Sequence, residues 1–463
     1  MNAQVERAAQ AAAGTFREYS QSPPGTRAQL LREIADGIER LGDTLIACVN
    51  RETALPTARI AGERARTCMQ LRLFADLAAH DAWIDERIDA ADAARTPPKP
   101  QVRSRLCPIG PAAVFAASNF PLAFSVAGGD TAAALAVGCP VVVKAHPAHP
   151  DTAALVAGVI HAALSKCRLP GGVFSLLSGE GYEHGLDLVR HPLIKVGAFT
   201  GSQVAGLALW RAVQQRAEPI PFFAEMGSVN PVFIFPDALT SQADAIAAGL
   251  HASMTLGVGQ FCTQPGVIFL IGDATGQEFI GKLSELVAAT ASGEMLSASI
   301  RDNYAAAVDQ RMHAAHVRVL AHGGGTQTHG GAREAVAALL ATDARTFCAR
   351  PELAEEVFGP SSLLVVCDAI ADFERCAQAL RGQLTATLWS TGDAHAAHAD
   401  LLWTLQQRVG RIVFNGFPTG VEVGTAMMHG GPFPATTDGR YTSVGTRSLA
   451  RFVRPIAWQT PAQ

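Results

Sequence analysis

The chain has 463 residues, 48% of them hydrophobic and 17% charged, with a formal net charge of -4. That length exceeds one compact core, so two or three domains are expected, and no basic stripe or run is present to neutralise phosphates, which excludes a nucleic-acid partner. The start, Met1 to Arg7, lacks the basic-then-apolar order of a secretory leader, and the longest uncharged stretch, Leu106 to Gly129, is broken by Pro108, Pro111 and Pro121, which argues against a membrane helix.

In chain order, residues 1–90 read as helical, with Leu30, Leu31, Ile34 and Ile38 of Arg27–Arg40 on one stripe and Arg59–Leu77 continuing in that style. Ala93 to Pro100 reads as a linker or exposed turn, because clustered prolines break both helix and strand. Pro111 to Ala116 is then a short apolar strand, Phe124 to Gly138 a small-residue helix, and Pro140 to Lys144 a Val-rich strand suited to a sheet buried on both faces. A helix from Asp151 to Leu164 follows, with Asp151 as its expected cap. Gly172–Leu177 and Leu193–Phe199 are further strands, the second leading through Thr200-Gly201-Ser202 into a helix from Gln203. Strands alternating with helices of about a dozen residues imply a parallel, doubly wound sheet. A second α/β cycle begins near Asn230, with strands at Gly266–Ile271, Ser362–Val366 and Thr387–Trp389 and helices at Gln277–Ala289 and Ala371–Leu380. The tail, Arg447 to Trp458, alternates basic and apolar residues and is expected to be a strand that pairs with another subunit.

The nine cysteines are odd in number, form no CxxC pair and scatter from Cys48 to Cys376, a pattern that fits free thiols in a reducing cytoplasm. Phe199-Thr-Gly-Ser202 places a glycine between an apolar strand and a helix, whose first amides can then hold phosphate. It is not the six-position dinucleotide fingerprint, and an ordinary strand–helix turn is the alternative. Lys144 ends a buried strand. His146 and His149 around their prolines read as a rigid loop, since no Asp, Glu or Cys cluster completes a metal site, and no metal is expected. Glu225 is a candidate base and Cys262, in Gly257-Val-Gly-Gln-Phe-Cys262, a candidate nucleophile that would need a base or a lowered pKa. By pattern alone the chain is an α/β nucleotide-binding enzyme whose thiol chemistry stays open.

The segments Ser118-Asn-Phe-Pro121, Val143-Lys144, Phe199-Thr-Gly-Ser202, Glu225-Met-Gly-Ser228, Gly259-Gln-Phe-Cys262 and Glu355-Glu-Val-Phe-Gly-Pro360, in this order and over nearly the whole chain, resemble the aldehyde dehydrogenase superfamily. Three further segments resemble its branch of α-ketoglutaric semialdehyde (2,5-dioxovalerate) dehydrogenases: Lys144-Ala-His-Pro-Ala-His-Pro150, Pro219-Ile-Pro-Phe-Phe-Ala-Glu225 and His429-Gly-Gly-Pro-Phe-Pro-Ala-Thr-Thr437. The resemblance implies that Cys262 attacks the aldehyde carbon and that Asn119, with the Cys262 amide, donates to the oxyanion. It implies that Glu225 activates water to hydrolyse the thioester. Lys144 would bond the adenosine ribose or its phosphate, Gly201 and Ser202 would face the pyrophosphate, Glu356 would hold the nicotinamide ribose and Phe358 would pack beside the ring. The fold so implied is α/β, with a Rossmann-like cofactor domain (residues 1–91 and 107–227), an α/β catalytic domain (228–433) and a small oligomerisation ribbon (92–106 and 446–463) of a homodimer or homotetramer.

The chain departs from the family in two places. Its N-terminus is shorter than usual, so an early helix or strand is expected to be missing. After Lys144, where NAD-preferring members often carry a glutamate, it has Ala145, His146 and Pro147. A 2′-phosphate would not be repelled there and Lys144 or His146 could pair with it, so NADP is favoured. No arginine follows near Gly179–Tyr182 to complete a phosphate site, which keeps NAD open. A keto-acid semialdehyde needs a cation for its carboxylate, and the sequence does not say which arginine supplies it. Phe120, Gln260, Phe261 and Phe417 are the candidate substrate residues, and the aromatics would equally suit an aliphatic or aromatic aldehyde. A CoA-acylating member and a non-catalytic relative are the remaining alternatives, against which stand Glu225 and the intact Cys262–Glu225 pair.

Overall fold

The structure, a computed structural model, describes residues 2–179, 181–324, 331–392 and 398–461. Four helices lead the chain: Ala3–Ser20, Pro24–Arg40, Gly42–Thr53 and Thr57–Ala79. The stripe of Leu30, Leu31, Ile34 and Ile38 is fully buried, as its periodicity requires. Strands β1 (Arg87–Asp89) and β2 (Gln101–Pro108) follow, and between them runs the proline-rich turn.

Strands β3 (Ala112–Phe115), β4 (Val141–Lys144), β5 (Phe174–Leu177), β6 (Val196–Thr200) and β7 (Phe222–Glu225) form a parallel sheet in the order β5-β4-β3-β6-β7. The chain builds outward from β3 on one side and then crosses to β6 on the other. The crevice at the carboxyl ends of such a reversal is where open α/β sheets take ligands.

A second sheet takes β8 (Val232–Ile234), β9 (Val267–Ile271), β11 (Arg318–His322), β13 (Ala338–Asp343), β14 (Ser361–Cys367), β15 (Gln383–Trp389) and β16 (Val409–Phe414). Its order is β11-β13-β14-β9-β8-β15-β16, parallel except at the β11–β13 edge. Strands β10 (Gly293–Glu294) and β12 (Glu334–Ala335) make a separate two-stranded pair, and β17 (Val453–Thr460) joins β1 and β2 in an antiparallel ribbon. Among the described residues no helix is long and apolar enough to cross a membrane.

Three local expectations are corrected. The helix read from Phe124 begins only at Gly129: residues 121–128 run as turns, closed by the Gly128 amide on the Ser125 carbonyl at 2.9 Å and the Gly129 amide on the Ala123 carbonyl at 3.1 Å, after the Leu122 and Ala123 amides have donated to Glu63 at 2.8 and 2.9 Å. Asp151 does not cap the helix Pro150–Lys166. The amides of Asp151 and Thr152 donate to Glu52 at 2.8 and 2.9 Å, and the Asp151 side chain faces Arg51. The tail is helical over Thr446–Phe452 before it extends, and its strand pairs with β2 of its own chain, Val453 opposite Pro108 through Thr460 opposite Gln101. Residues 462 and 463 of the expected ribbon lie outside the described residues.

Candidate active site between the two sheets

Glu225 ends β7 and is held there by the segment His429–Thr437. Glu225 bridges to Thr436, the Met226 amide donates to the Ala435 carbonyl at 2.8 Å, and the Ala224 amide donates to Thr437 Oγ1 at 2.9 Å. The same segment presses its backbone on the second sheet, where a Cβ on Gly431 would come 2.1 Å from the carbonyl oxygen of Gln383, the first residue of β15. One stretch of chain therefore ties both sheets to the carboxylate.

Cys262 sits on a loop entered through Gly257, Val258 and Gly259, all with positive φ of 56°, 57° and 66°. A β-branched residue in that conformation is strained and persists only where its surroundings dictate it. Gly259 packs on the backbone of Gly359 and Pro360, where a Cβ would meet them at 2.3 to 2.5 Å. That contact brings Glu356 to the site. The other end of the loop is held by Asn230, wholly buried, whose Nδ2 donates to the carbonyls of Cys262 and Gln264 at 2.9 and 2.8 Å. Its Oδ1 accepts from the hydroxyls of Ser228 and Thr385, each at 3.0 Å.

Around the thiol lie Glu225 and a residue to which the sequence reading gave no role, His429. The Cys262 Sγ is 3.5 Å from His429 Nε2, and that nitrogen is 3.3 Å from Glu225 Oε2. The side chains of His429 and Glu225 are 1% and 3% exposed. Burial, Glu225 and Glu356 together push the Cys262 thiol well above its ordinary range, with Arg411 opposing them. Asn119 lies on the loop after β3 and donates one amide hydrogen to the Gln260 carbonyl at 3.1 Å, which leaves the other available.

The candidate substrate residues divide. Phe120 and Phe261 stand edge to face, 5.5 Å apart, in the wall of a cavity of about 300 Å3 that Cys262 and His429 also line. Gln260 turns away: its side chain donates to the Gly257 carbonyl and accepts from the Leu296 amide, each at 3.0 Å, so it shapes the loop. Phe417 packs on Trp389 at 5.2 Å, against the second sheet. The reading missed Phe124, Arg59 and Arg66, which line the cavity with Phe120 and Phe261. The stripe of the helix Thr57–Ala79 was legible, but not which of its polar residues face inward.

The candidate cofactor residues meet at the carboxyl end of the first sheet. Lys144 ends β4, and its Nζ donates to the carbonyls of Ala145 and Gly179 at 2.8 and 2.9 Å. Gly201 follows β6, and Ser202 caps the helix Gln203–Gln214 by accepting from the Ala205 amide. Glu356 accepts from the Ser228 amide at 3.3 Å, in a position that depends on Gly227, where a Cβ would stand 2.4 Å from Glu356 Oε2. Burial and Glu225 push Glu356 up to about 7. Phe358 is half-buried and Pro147 exposed. His146 is lowered to about 3 by burial, His149 and Lys144, and its Nδ1 accepts from the Ala148 amide at 3.1 Å. It is therefore neutral at neutral pH and brings no positive charge of its own for a phosphate. Glu180, in the stretch Gly179–Tyr182, lies outside the described residues. A cation, free amides at a helix start and a carboxylate acceptor suit the phosphates and ribose hydroxyls of a dinucleotide.

Residues 1–435 match the aldehyde dehydrogenase family. The chain is 46% identical over 458 residues to α-ketoglutaric semialdehyde dehydrogenase 2 of Azospirillum brasilense, covering 99% of this chain and 87% of that protein. It is 42% identical to α-ketoglutaric semialdehyde dehydrogenase of Acinetobacter baylyi, with the same coverages. Betaine aldehyde dehydrogenase of Staphylococcus aureus shares the fold, with a TM-score of 0.83 at 20% identity, over 98% of this chain and 87% of that one.

Proposed function

The chain belongs to the aldehyde dehydrogenase family and oxidises aldehydes, and on that premise we propose that its substrate is a short keto-acid semialdehyde, α-ketoglutaric semialdehyde, converted to 2-oxoglutarate. The observation that carries the substrate class is the charge of the cavity beside Cys262. Arg59 and Arg66 line it with one carboxylate, Glu63, which is already used: Glu63 accepts Arg59 at 2.5 Å through one oxygen and two backbone amides through the other, and the second acid near Arg66, Glu422, is exposed to solvent. Arg66 donates to the Val421 carbonyl, and its buried Nε has no partner among the described residues. One guanidinium is thus left over for one substrate carboxylate, the planar group it pairs with best. The names of the two relatives at 46% and 42% identity support the same class.

In this reading the Cys262 sulfur adds to the aldehyde carbon, and its amide with the second Asn119 hydrogen receives the oxyanion. The bound nicotinamide dinucleotide supplies the hydride acceptor. Glu225 then takes a proton from the water that cleaves the thioester. Lys144, Gly201, Ser202, Glu356 and Phe358 would hold the dinucleotide. We favour NADP over NAD because Ala145, His146 and Pro147 put no carboxylate beside Lys144, although neutral His146 leaves that lysine as the cation. A higher kcat/KM with NAD reverses that choice. We further propose that residues 1–91 and 107–227 act as the cofactor domain, 228–433 as the catalytic domain, and the ribbon of 92–106 and 446–463 as the contact of a homo-oligomer in the cytoplasm.

The test is a panel of aldehydes under saturating cofactor. α-Ketoglutaric semialdehyde is expected to exceed pentanal and benzaldehyde in kcat/KM, and Arg66→Met to lower that advantage about 10- to 100-fold, the scale of a charge-assisted hydrogen bond. A simple aldehyde that wins in the wild-type protein overturns the substrate reading and favours the apolar wall of Phe120, Phe124 and Phe261 as the selector.

A further inference from the structure

We propose that His429 is a third catalytic group, which takes the Cys262 thiol proton at Nε2 and returns it to the sulfur when the thioester is cleaved. The placement rests on backbone anchors on both sides of the residue. The His429 amide donates to Thr442 Oγ1 at 2.9 Å, and the His429 carbonyl accepts from the Ser443 amide at 2.9 Å and the Ser443 hydroxyl at 3.2 Å. The same hydroxyl reaches Glu225 Oε2 at 3.5 Å. Two neighbouring residues thus fix the imidazole and the carboxylate relative to each other.

The charges around the thiol explain why the site needs this group. Burial, Glu225 and Glu356 all disfavour a thiolate; Arg411 opposes them, with Arg66 across the cavity as a second cation. Arg411 is itself engaged with the carbonyls of Pro418 and Gly420. Were Glu225 to take the proton, the sulfur would be left as an anion beside Glu356 with no positive group in contact. Transfer to His429 instead places an imidazolium between two anions, 3.5 Å from sulfur and 3.3 Å from Glu225. The groups facing His429 are Cys262 and Glu225, with Phe124 on its ring side at 6.4 Å. Farther out, Asp130 is paired with Arg451, and Glu356 borders both Glu225 and Cys262.

The steps balance. The S–H bond breaks, its electron pair stays on sulfur, and the proton forms an N–H bond at Nε2. The thiolate adds to the aldehyde carbon, and the carbonyl electron pair moves to oxygen. That pair re-forms the C=O bond as the C–H pair leaves as hydride to the oxidised nicotinamide dinucleotide that the aldehyde oxidation requires, and the thioester remains. In thioester cleavage the water proton goes to Glu225, which later releases it to solvent, the water oxygen bonds to carbon, and the C–S pair returns to sulfur, which recovers its proton from Nε2. His429 ends each turnover in the protonation state in which it began it.

The role of His429 in thiol ionisation is testable without substrate or cofactor, so it can fail separately from the aldehyde reading. Iodoacetamide labelling of the full-length protein is followed at the Cys262 peptide by mass spectrometry across pH. Labelling of wild-type Cys262 is expected to be half-maximal near neutrality, and in His429→Asn at least about tenfold slower at pH 7 and recovering only above pH 9, the range of an unassisted thiol. A folded His429→Asn with an unchanged labelling profile overturns the proposal. Should His429→Asn fail to fold, the thiolate absorbance near 240 nm of wild type minus Cys262→Ala decides: a midpoint near neutrality supports it, and one above about 9 refutes it.

Discussion

Cys262 carries a thiol in a site crowded with negative charge, and the predictions at the scale of single residues follow from that. Cys262→Ala is expected to lower dehydrogenase turnover by at least about 10³-fold while cofactor binding, measured by fluorescence titration, is retained. Glu225→Gln is expected to lower steady-state turnover about 10²-fold but to leave a first-turnover burst of reduced cofactor, because the variant still forms the thioester and stalls at hydrolysis. A variant without the burst would move Glu225 to an earlier step. Glu356 gives a pH dependence. Its carboxyl is raised to about 7, so it is protonated below that pH and ionised above it. An ionised carboxylate is the better acceptor for ribose hydroxyls. Cofactor Kd is therefore expected to fall as pH rises through about 7, and Glu356→Gln to flatten that profile. Motif order exposed Cys262, Glu225 and Asn119 as candidates. It gave no role to His429, although that residue heads the segment His429–Thr437 that resembles the semialdehyde branch, because nothing local to a Gly-Pro-rich stretch shows which side chain turns inward.

At the scale of elements, the loop that presents Cys262 depends on two contacts that can be broken singly. Gly259→Ala puts a methyl group 2.3 Å from the Gly359 backbone at a position with φ of 66°. The loop must shift, and kcat is expected to fall at least about tenfold, since small misplacements of a nucleophile are costly. Asn230→Ala leaves the carbonyls of Cys262 and Gln264 and two hydroxyls without their partner. At about 1–3 kcal/mol for each buried group left unpaired, the melting temperature is expected to drop by several degrees, which calorimetry reads directly. A variant that melts with wild type would show that water replaces the amide. The strands were readable because buried parallel strands are runs of Val, Ile and Ala flanked by turn residues. The cap by Glu52 was not, because it is set by a carboxylate on another helix, and neither was the helix start at Gly129, which follows from turns over residues 121–128. Gln260 shows the same limit: its neighbour Phe261 lines the cavity while its own side chain closes the loop.

At the scale of the whole molecule, the site exists because the His429–Thr437 segment fastens one sheet to the other. The ribbon of β1, β2 and β17 exposes Ile88 and Trp458, 59% and 43% accessible, and is the proposed contact of a homo-oligomer. Light scattering is expected to give a dimer or tetramer, and Trp458→Asp to shift it toward the monomer; a monomeric wild type removes that reading. The sequence by itself determined the reaction class, through six ordered segments that resemble one family, the alternation of strands and helices, and the thiol and carboxylate proposed to do the chemistry, because each of these is written in short local segments and their order along the chain. Only the tertiary structure decided that Arg66 lines the cavity beside Cys262, that the tail pairs with its own β2, and that an imidazole touches the Cys262 sulfur. Those facts depend on distances between residues as far apart as the 167 positions separating Cys262 from His429, over which no periodicity or spacing rule operates.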